Sequence, residues 1–347
     1  MSYFLYLSVT GEDRICIYRM DAGSGALAFQ EHAAAADSVG PLAVDPQQRF
    51  LYAGLRRLRQ VQTYRLDGRT GGIKLLGSTP LDWDPTCLST DNTGRFLLYA
   101  SYRGGGVGVH VIGNDGVVRA PAANRHDTAR CAHYIHTDPS NRFAFVPHVA
   151  ETNSIYQYRF DQGTGRLESN EPPTVEQPAN TGPRHYCHHP ARHFVYMDNE
   201  QGCSVTAYRF DPAHGTLDAF QTVSTLPDGF SDFNTCAQIH MHPSGRFMYV
   251  SNRGHDSIAC FGVDAETGLM NVIGHAAAAG TPRAFNLDPD GRFLFAAGQD
   301  TGRLTAFRID QETGTLSALA DYEVGEDPSW VMVLNLKRST SDEDHES

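Results

Sequence analysis

The amino-acid sequence predicts an all-β protein, a seven-bladed β-propeller with four antiparallel strands in each blade. The prediction rests on two interleaved repeats and on incomplete blades at the two ends of the chain. A repeat of roughly 40–50 residues that contains two hairpins is typical of one propeller blade.

The first repeat is an apolar strand that ends in Asp, then small residues and Gly, then a second apolar strand. Asp can accept hydrogen bonds from the backbone two residues on, and Gly tolerates a positive φ, so this pattern is typical of a hairpin turn. The copy YRFDQGTGRL shows the pattern clearly, whereas VHVIGNDGVV is degenerate. The seven copies begin at Tyr18, Tyr64, Val109, Tyr158, Tyr208, Phe261 and Phe307.

The second repeat is a turn of the type DPSNRFAFV or HPSGRFMYV, which lies between the copies of the first. With the four strands of a blade lettered a to d outward from the central channel, this repeat predicts the turn between strands a and b, and the first repeat predicts the turn between strands c and d. Its basic position recurs at spacings of 46, 47, 51, 53 and 46 residues. The six copies place that position at Arg49, Arg95, Arg142, His193, Arg246 and Arg292.

The two chain ends together supply the seventh blade. The chain opens with the later strands of a blade and lacks the first strand of that blade. The segment SWVMVLNLK near its end is a single strand with no hairpin after it. We therefore expect the N- and C-terminal strands to share one blade and close the ring, which removes open sheet edges. Residues 1–337 are predicted to form a single domain, and residues 338–347, which have no apolar periodicity, a disordered tail.

Composition limits the function. A net charge of −12 disfavours nucleic-acid binding, which depends on basic surfaces. No apolar run has membrane length, and the N-terminus has no signal-peptide pattern. The seven cysteines show no CxxC spacing, which predicts free thiols and a cytoplasmic protein. Since a closed ring needs no partner for stability, we expect a monomer.

The position of each residue relative to the a–b turn of its blade locates the candidate site. Propellers usually bind ligands near the central channel, where the first strand of each blade begins. Counting back from each a–b turn gives the start of strand a, and counting forward gives the end of strand b. Strands a and b are antiparallel, so both sets of residues are expected at one rim. The rim holds Arg56, Tyr102, His133, Arg184, Glu200, Arg253, Arg283 and Gln299.

The chemistry of this rim is that of an anion site with proton-transfer groups. Four of its residues are arginines, which suit bidentate capture of a carboxylate or phosphate. Glu200 and His133 are the proton-transfer groups in register with them. His185 and His240 are further candidates for contacts near the channel. Ion pairs between blades are the structural alternative for each charged residue.

Other histidines have simpler interpretations. His188, His189 and His242 fall at or beside a–b turns, so we expect them at the surface. The cluster RHYCHH lacks the spacing of a structural zinc site, and alternate residues of a strand point to opposite faces. The sequence therefore predicts neither a metal nor another cofactor.

Several longer segments resemble the seven-bladed β-propeller lactonase family, which includes bacterial 6-phosphogluconolactonases and fungal carboxymuconate cyclases. They are GPRHYCHHP, YMDNE, GFSDFNTCAQIHMHPSGRFMYVSNRGHDSI, TPRAFNLDPDGRFLFAAGQ and VGEDPSWVMV. The resemblance covers the whole chain. It implies active-site roles for His133, Arg184, His185, Glu200 and Arg253, and departs from the family at His148–Ala150 and at Ser101.

The resemblance implies hydrolysis of a sugar δ-lactone, with 6-phosphogluconolactone as the expected substrate. Glu200, His133, Arg184 and His185 are the expected catalytic residues. Substrate binding is expected from Arg253, Arg283, Arg56, Tyr102, Gln299 and His240. Three alternatives stay open: a lactonase for an unphosphorylated aldono- or aldarolactone, a muconate-cyclase-like cycloisomerase, and a non-catalytic binding propeller.

Overall fold

The computed structural model describes residues 2–337, which form seven four-stranded antiparallel sheets arranged as the blades of a ring. The predicted seven-bladed propeller is confirmed. The predicted tail, residues 338–347, lies outside the described residues. We number the blades from the first complete one and letter the strands a to d outward from the channel.

Blades 1 to 3 occupy the first half of the chain. Blade 1 comprises Val39–Val44, Phe50–Leu55, Gln60–Leu66 and Ile73–Pro80. Blade 2 comprises Cys87–Thr90, Phe96–Ser101, Gly106–Val111 and Asn124–Asp127. Blade 3 comprises His136–Thr137, Phe143–His148, Ser154–Asp161 and Arg166–Glu176.

Blades 4 to 6 continue the ring. Blade 4 comprises Pro183–His188, Phe194–Asn199, Ser204–Asp211 and Thr216–Ser224. Blade 5 comprises Thr235–Met241, Phe247–Arg253, Ser257–Val263 and Met270–Ala277. Blade 6 comprises Pro282–Leu287, Phe293–Gly298, Arg303–Ile309 and Leu316–Glu323.

Blade 7 closes the ring with strands from both ends of the chain. Its strand a is Pro328–Leu336, and its other strands are Ser2–Val9, Arg14–Met20 and Leu27–Ala34. The terminal strands pair antiparallel, with Leu5 opposite Val333. A short 3₁₀ helix, Thr10–Glu12, follows strand b of this blade. The closure is therefore the one that the two incomplete ends predict.

The hydrophobic core is divided among the interfaces between blades. Each of seven clusters of buried residues combines side chains from two adjacent blades. In one of them, Leu5 and Leu7 of blade 7 pack on Phe295 and Ala297 of blade 6. Because both faces of the inner strands are covered, strand b begins with four apolar residues in each of blades 1 to 6.

The turns also join neighbouring blades. Gly268 in the c–d turn of blade 5 has φ 74° and lies against Phe194 of blade 4, where an added Cβ would come within 2.8 Å of the ring. Its carbonyl accepts a hydrogen bond of 2.9 Å from the Tyr196 hydroxyl. Glycine is required at this position both for the positive φ and for the close approach.

The a–b turns explain why the prediction for three histidines was wrong. His189 and His242 are buried and His188 is half-buried, instead of lying at the surface. In most blades the turn carboxylate accepts backbone hydrogen bonds, as Asp138 does from Phe143. The His242 ring takes this place, contacting Ser244 at 2.8 Å and the Gly291 carbonyl of the next blade at 2.8 Å. The ring folds back into the turn and is covered by the neighbouring blade.

All seven cysteines are free thiols, as the sequence predicts. Between residues 2 and 337 there is no helix with both the length and the apolar character needed to cross a membrane.

Candidate active site

A narrow cavity lies at the centre of the ring. Every blade contributes to its wall, chiefly from the start of strand a, and its volume is about 50 Å³. The lining residues are Thr10, Gly40, Pro41, Arg56, Thr86, His133, Arg184, His185, Gln238, Arg283, Gln299, Asp327, Ser329 and Trp330. The cavity therefore lies at the rim that was located on the sequence by counting from the a–b turns.

The structure divides the predicted site residues into three groups. Those on the cavity wall are Arg56, His133, Arg184, His185, Arg283 and Gln299. Tyr102, Glu200 and Arg253 lie behind the wall and contact its residues. His240 does not line this cavity but a separate one of about 340 Å³. That second cavity meets the first at His185, Gln238 and Trp330, which line both.

Irregular pairing at the start of strand a explains how adjacent residues both reach the cavity. In blade 4 the register shifts between Pro183 and Tyr186, so Arg184 and His185 escape strict strand alternation. Blade 5 has the same shift between Cys236 and Ile239, where Gln238 enters the wall. Blades 1 and 6 repeat the irregularity. The irregular pairing at the start of strand a therefore recurs in four blades and directs side chains into the channel.

Arg184 is the central cation of the site. Its side chain is 2% exposed, and Nε donates a hydrogen bond of 2.7 Å to Oε2 of Glu200. Nη1 is buried and has no hydrogen-bond partner among residues 2–337. Burial, followed by the charge of Arg253, lowers the pKa of Arg184 to about 10, so the guanidinium remains protonated at neutral pH. A buried donor without a partner is costly unless a ligand satisfies it.

Glu200 joins two arginines. Its Oε2 lies 3.3 Å from Nη2 of Arg253 as well as bonding Arg184, and its Oε1 accepts from Gln201 at 3.3 Å. Nη2 of Arg253 also donates to the Cys236 carbonyl at 2.6 Å. Glu200 is therefore placed to orient guanidinium groups, and its carboxylate does not form part of the cavity wall.

Two further arginines give the cavity a positive character. Burial, followed by the charges of Arg184 and Arg253, lowers the pKa of Arg283 to about 9. Arg283 and Arg56 form no ion pair within the described part of the chain, although Asp327 also lines the cavity and accepts from Gln299 at 2.6 Å. Positive charge without full compensation favours an anionic group or a developing oxyanion.

A histidine pair adjoins Arg184. Nδ1 of His133 lies 3.1 Å from Nε2 of His185, so one ring donates to the other. Burial, followed by the charge of Arg184, holds the pKa of both histidines well below the usual value, and both are neutral at pH 7. Neither Nε2 of His133 nor Nδ1 of His185 has a hydrogen-bond partner in the described chain. The pair can therefore exchange a proton with a ligand.

The environment of His185 fixes its orientation. Its ring stacks on Tyr134, with centroids 4.5 Å apart and planes at 25°. Its backbone N–H donates to Oδ1 of Asp198 at 2.8 Å. Burial raises the pKa of Asp198 to about 7. Tyr102 approaches the partner ring of His133 edge-on at 6.1 Å, so aromatic contacts restrict both imidazoles.

His240 lines the second cavity, which shares His185, Gln238 and Trp330 with the central cavity. Burial lowers its pKa to about 4, and its ring packs edge-on against Phe285 at 4.8 Å. No group of three or more His, Cys, Asp and Glu side chains among the described residues is arranged to hold a metal ion.

Register counting missed two groups of residues on the wall. Gln238 was missed because the count selects Ala237, one residue before the position that the irregular pairing brings inward. Asp327, Ser329 and Trp330 were missed because the closing strand has no a–b turn to count from. Pro328, which begins that strand as Pro183 and Pro282 begin theirs, was the available signal.

The comparisons with known proteins cover the whole propeller. A family model described as "Lactonase, 7-bladed beta-propeller" matches residues 5–333. A 6-phosphogluconolactonase of Pectobacterium carotovorum is 37% identical over 97% of this chain and 100% of its own. A 6-phosphogluconolactonase of Cronobacter sakazakii is 33% identical over 96% of this chain and 98% of its own.

Solved structures agree on the fold. The periplasmic gluconolactonase of Pseudomonas aeruginosa superposes with a TM-score of 0.89 and 25% identity, over 97% of this chain and 100% of its own. A protein from Lactobacillus plantarum does so with a TM-score of 0.85 and 23% identity, over 96% and 100%. The match of the family model from the first blade to the closing strand shows that this chain belongs to the seven-bladed β-propeller lactonase family.

Proposed function

We propose that this lactonase-family enzyme hydrolyses 6-phosphogluconolactone to the open sugar acid. Its relatives at 33% and 37% identity carry the name of that activity. The observation that carries the proposal is a neutral histidine pair beside a buried arginine whose Nη1 has no partner in the described chain. Ester hydrolysis is accelerated by these two elements, a proton acceptor for the attacking water and a cation at the carbonyl oxygen.

In the proposed reaction, Arg184 and Arg283 donate to the lactone carbonyl oxygen. Water attacks the carbonyl carbon, and the unprotonated nitrogen of the His133–His185 pair takes the proton that the water loses. Negative charge develops on the carbonyl oxygen, where the arginines stabilise it. A buried cation contributes more here than in water because the local dielectric constant is low.

Collapse of the tetrahedral intermediate breaks the bond from the carbonyl carbon to the ring oxygen. The histidine pair returns its proton to that oxygen, so the enzyme ends in its starting protonation state. One water is consumed, and a hydroxy acid is formed whose carboxylate proton goes to solvent. Positioned proton transfer of this kind contributes about 10²- to 10⁴-fold to rate.

We assign Glu200 a positioning role, since it bonds Arg184 and Arg253 but does not form the wall. Glu200→Gln is expected to keep most of the activity, because the amide oxygen can still accept from Nε of Arg184. Glu200→Ala is expected to lower kcat/KM about 10²-fold through misplacement of the guanidinium. Steady-state kinetics of both variants test this role. An equally severe loss of kcat in both would instead identify Glu200 as the base.

Proton release at neutral pH tests the proposed function directly. 6-Phosphogluconolactone, gluconolactone and galactarolactone are compared, each corrected for spontaneous hydrolysis and repeated after dialysis against EDTA. Preference for the phosphorylated lactone supports the proposal. Preference for an unphosphorylated lactone would keep the mechanism and change the substrate. Failure to accelerate any of the three would contradict lactone hydrolysis and favour a cycloisomerase or a binding function.

A further inference from the structure

A third cavity, rich in arginine, lies beside the central one, and we call it the side pocket. It has a volume of about 380 Å³ and contains four arginines. The lining residues are Ser38, Arg56, Arg57, Arg59, Trp83, Asp84, Arg103 and Gly104. Register counting on the sequence selected Arg56 alone from this set.

The position of this side pocket follows from the topology. Residues 56–59 form the b–c turn of blade 1, and Arg103 and Gly104 belong to the b–c turn of blade 2. Trp83 and Asp84 precede strand a of blade 2. All these segments lie at the same end of the strands as the cavity wall, and Arg56 lines both spaces. The side pocket is therefore an extension of the central cavity between blades 1 and 2.

The charge of the pocket is only partly compensated. Arg57 pairs with Asp37 at 2.9 Å, but Arg59 and Arg103 form no ion pair in the described part of the chain. Asp84 is the one acidic residue that lines the pocket. In a protein of net charge −12, such a concentration of guanidinium groups indicates an anion-binding function.

The other residues of the pocket wall are held by several contacts. Ser101 donates to Oδ1 of Asp84 at 2.9 Å and accepts from the Gly104 N–H at 3.0 Å. Gly104 lies so close to Trp83 that a Cβ would overlap the indole. The Trp83 ring is covered on another side by the Arg125 guanidinium, 4.4 Å from its centroid. These contacts fix the positions of Trp83, Asp84 and Gly104 in the wall.

The central cavity is too small for a whole substrate, and the side pocket provides the additional space. The central cavity of about 50 Å³ is far below the roughly 300–1,000 Å³ of typical small-molecule sites, so a whole sugar lactone does not fit within it. The reacting carbonyl can occupy the central cavity while the rest of the substrate extends past Arg56. The far end of that substrate then lies among Arg57, Arg59 and Arg103.

We propose that this side pocket binds the phosphate monoester of the substrate, with Arg57 and Arg103 as its specificity-determining residues. The inference rests on the proposed lactone hydrolysis for its substrate and on the pocket itself for its ligand chemistry. Arginine matches a phosphate dianion because its planar donors bond two oxygens at once. A neutral hydroxymethyl group at the same place would leave these donors unsatisfied, so the pocket discriminates by charge.

The test uses Arg57→Gln, Arg103→Gln and the double variant. Arg69→Gln is the matched control, since Arg69 is an exposed arginine of the same blade in the c–d turn, at the opposite end of the strands. The measured quantity is the ratio of kcat/KM for 6-phosphogluconolactone to kcat/KM for gluconolactone. It is expected to fall about tenfold in each single variant and about 100-fold in the double variant, as loss of charge-assisted hydrogen bonds implies. The control is expected to keep the wild-type ratio.

Binding of inorganic phosphate, measured by titration calorimetry, gives a second result that does not depend on turnover. The double variant is expected to bind about tenfold or more weakly than wild type and the control. A wild type that hydrolyses the phosphorylated lactone, with an unchanged ratio in the variants, would overturn the side pocket and leave the proposed function standing. A wild type inactive on both lactones would overturn the function, and phosphate affinity would then decide the pocket alone.

Discussion

His133→Asn is expected to lower kcat for lactone hydrolysis by about 10²- to 10⁴-fold with little change in KM. The asparagine amide nitrogen lies near the position of Nδ1, so the contact with His185 can persist. An amide does not take a proton at neutral pH, and the variant therefore removes proton transfer with little loss of volume. Stopped-flow measurement of proton release checks the expectation.

His110→Asn is the matched control for this variant. His110 is also buried, and its Nδ1 contacts the Arg119 carbonyl at 2.8 Å, but it lies on strand c of blade 2, away from the cavity. Burial lowers its pKa as well. The control is expected to turn over normally, with thermal melts confirming that both variants fold. Near-normal kcat in His133→Asn would refute the assignment of the histidine pair.

The free energy of unfolding is expected to fall by several kcal/mol as the pH is lowered from 7 towards 4. Burial lowers the pKa of His148, His188 and His240 from 6.5 to about 4. Each contributes stability above pH 6.5, where the unfolded chain is also neutral, and loses it as the pH falls through the folded value. A shift of this size corresponds to roughly 3 kcal/mol for each histidine at most.

Asp198 acts in the opposite direction. Its pKa is raised to about 7 by burial, so it stabilises the fold at acid pH and this contribution is lost as the pH rises through 7. Three or more histidines outweigh this single carboxyl. Urea unfolding at a series of pH values measures the net slope. His240→Asn is expected to flatten the slope, because it removes one of the buried histidines. A pH-independent free energy between 7 and 4 would contradict the neutral burial of these histidines.

The fold was predictable because its determinants are local. Turn carboxylates such as Asp138 accept backbone hydrogen bonds within five residues, and positive-φ glycines such as Gly268 lie in the turns of hairpins. The c–d turn signal recurs once per blade, so counting its copies gives the number of blades. The unmatched strands at the two ends then specify the closure, which pairs residues such as Leu5 and Val333.

Part of the site was predictable for the same reason. Strand alternation and a constant distance from each turn place Arg184, His133 and Arg283 at one rim, where the structure has them. The count was less informative for Glu200, because it specifies the end of the strand and not the direction of the carboxylate. The contact with Arg184 and Arg253 depends on two blades and is not encoded in either one alone.

By itself, the sequence determined seven blades, the shared closing blade and the concentration of arginine and histidine at one rim, since these follow from local turn chemistry and strand period. Only the tertiary structure decided which of two adjacent residues enters the cavity, as the irregular pairing at Gln238 shows. It also brought Arg57 and Arg103 from different blades into one pocket. Such placements arise from packing between blades, which joins residues distant in sequence and leaves no periodic signal.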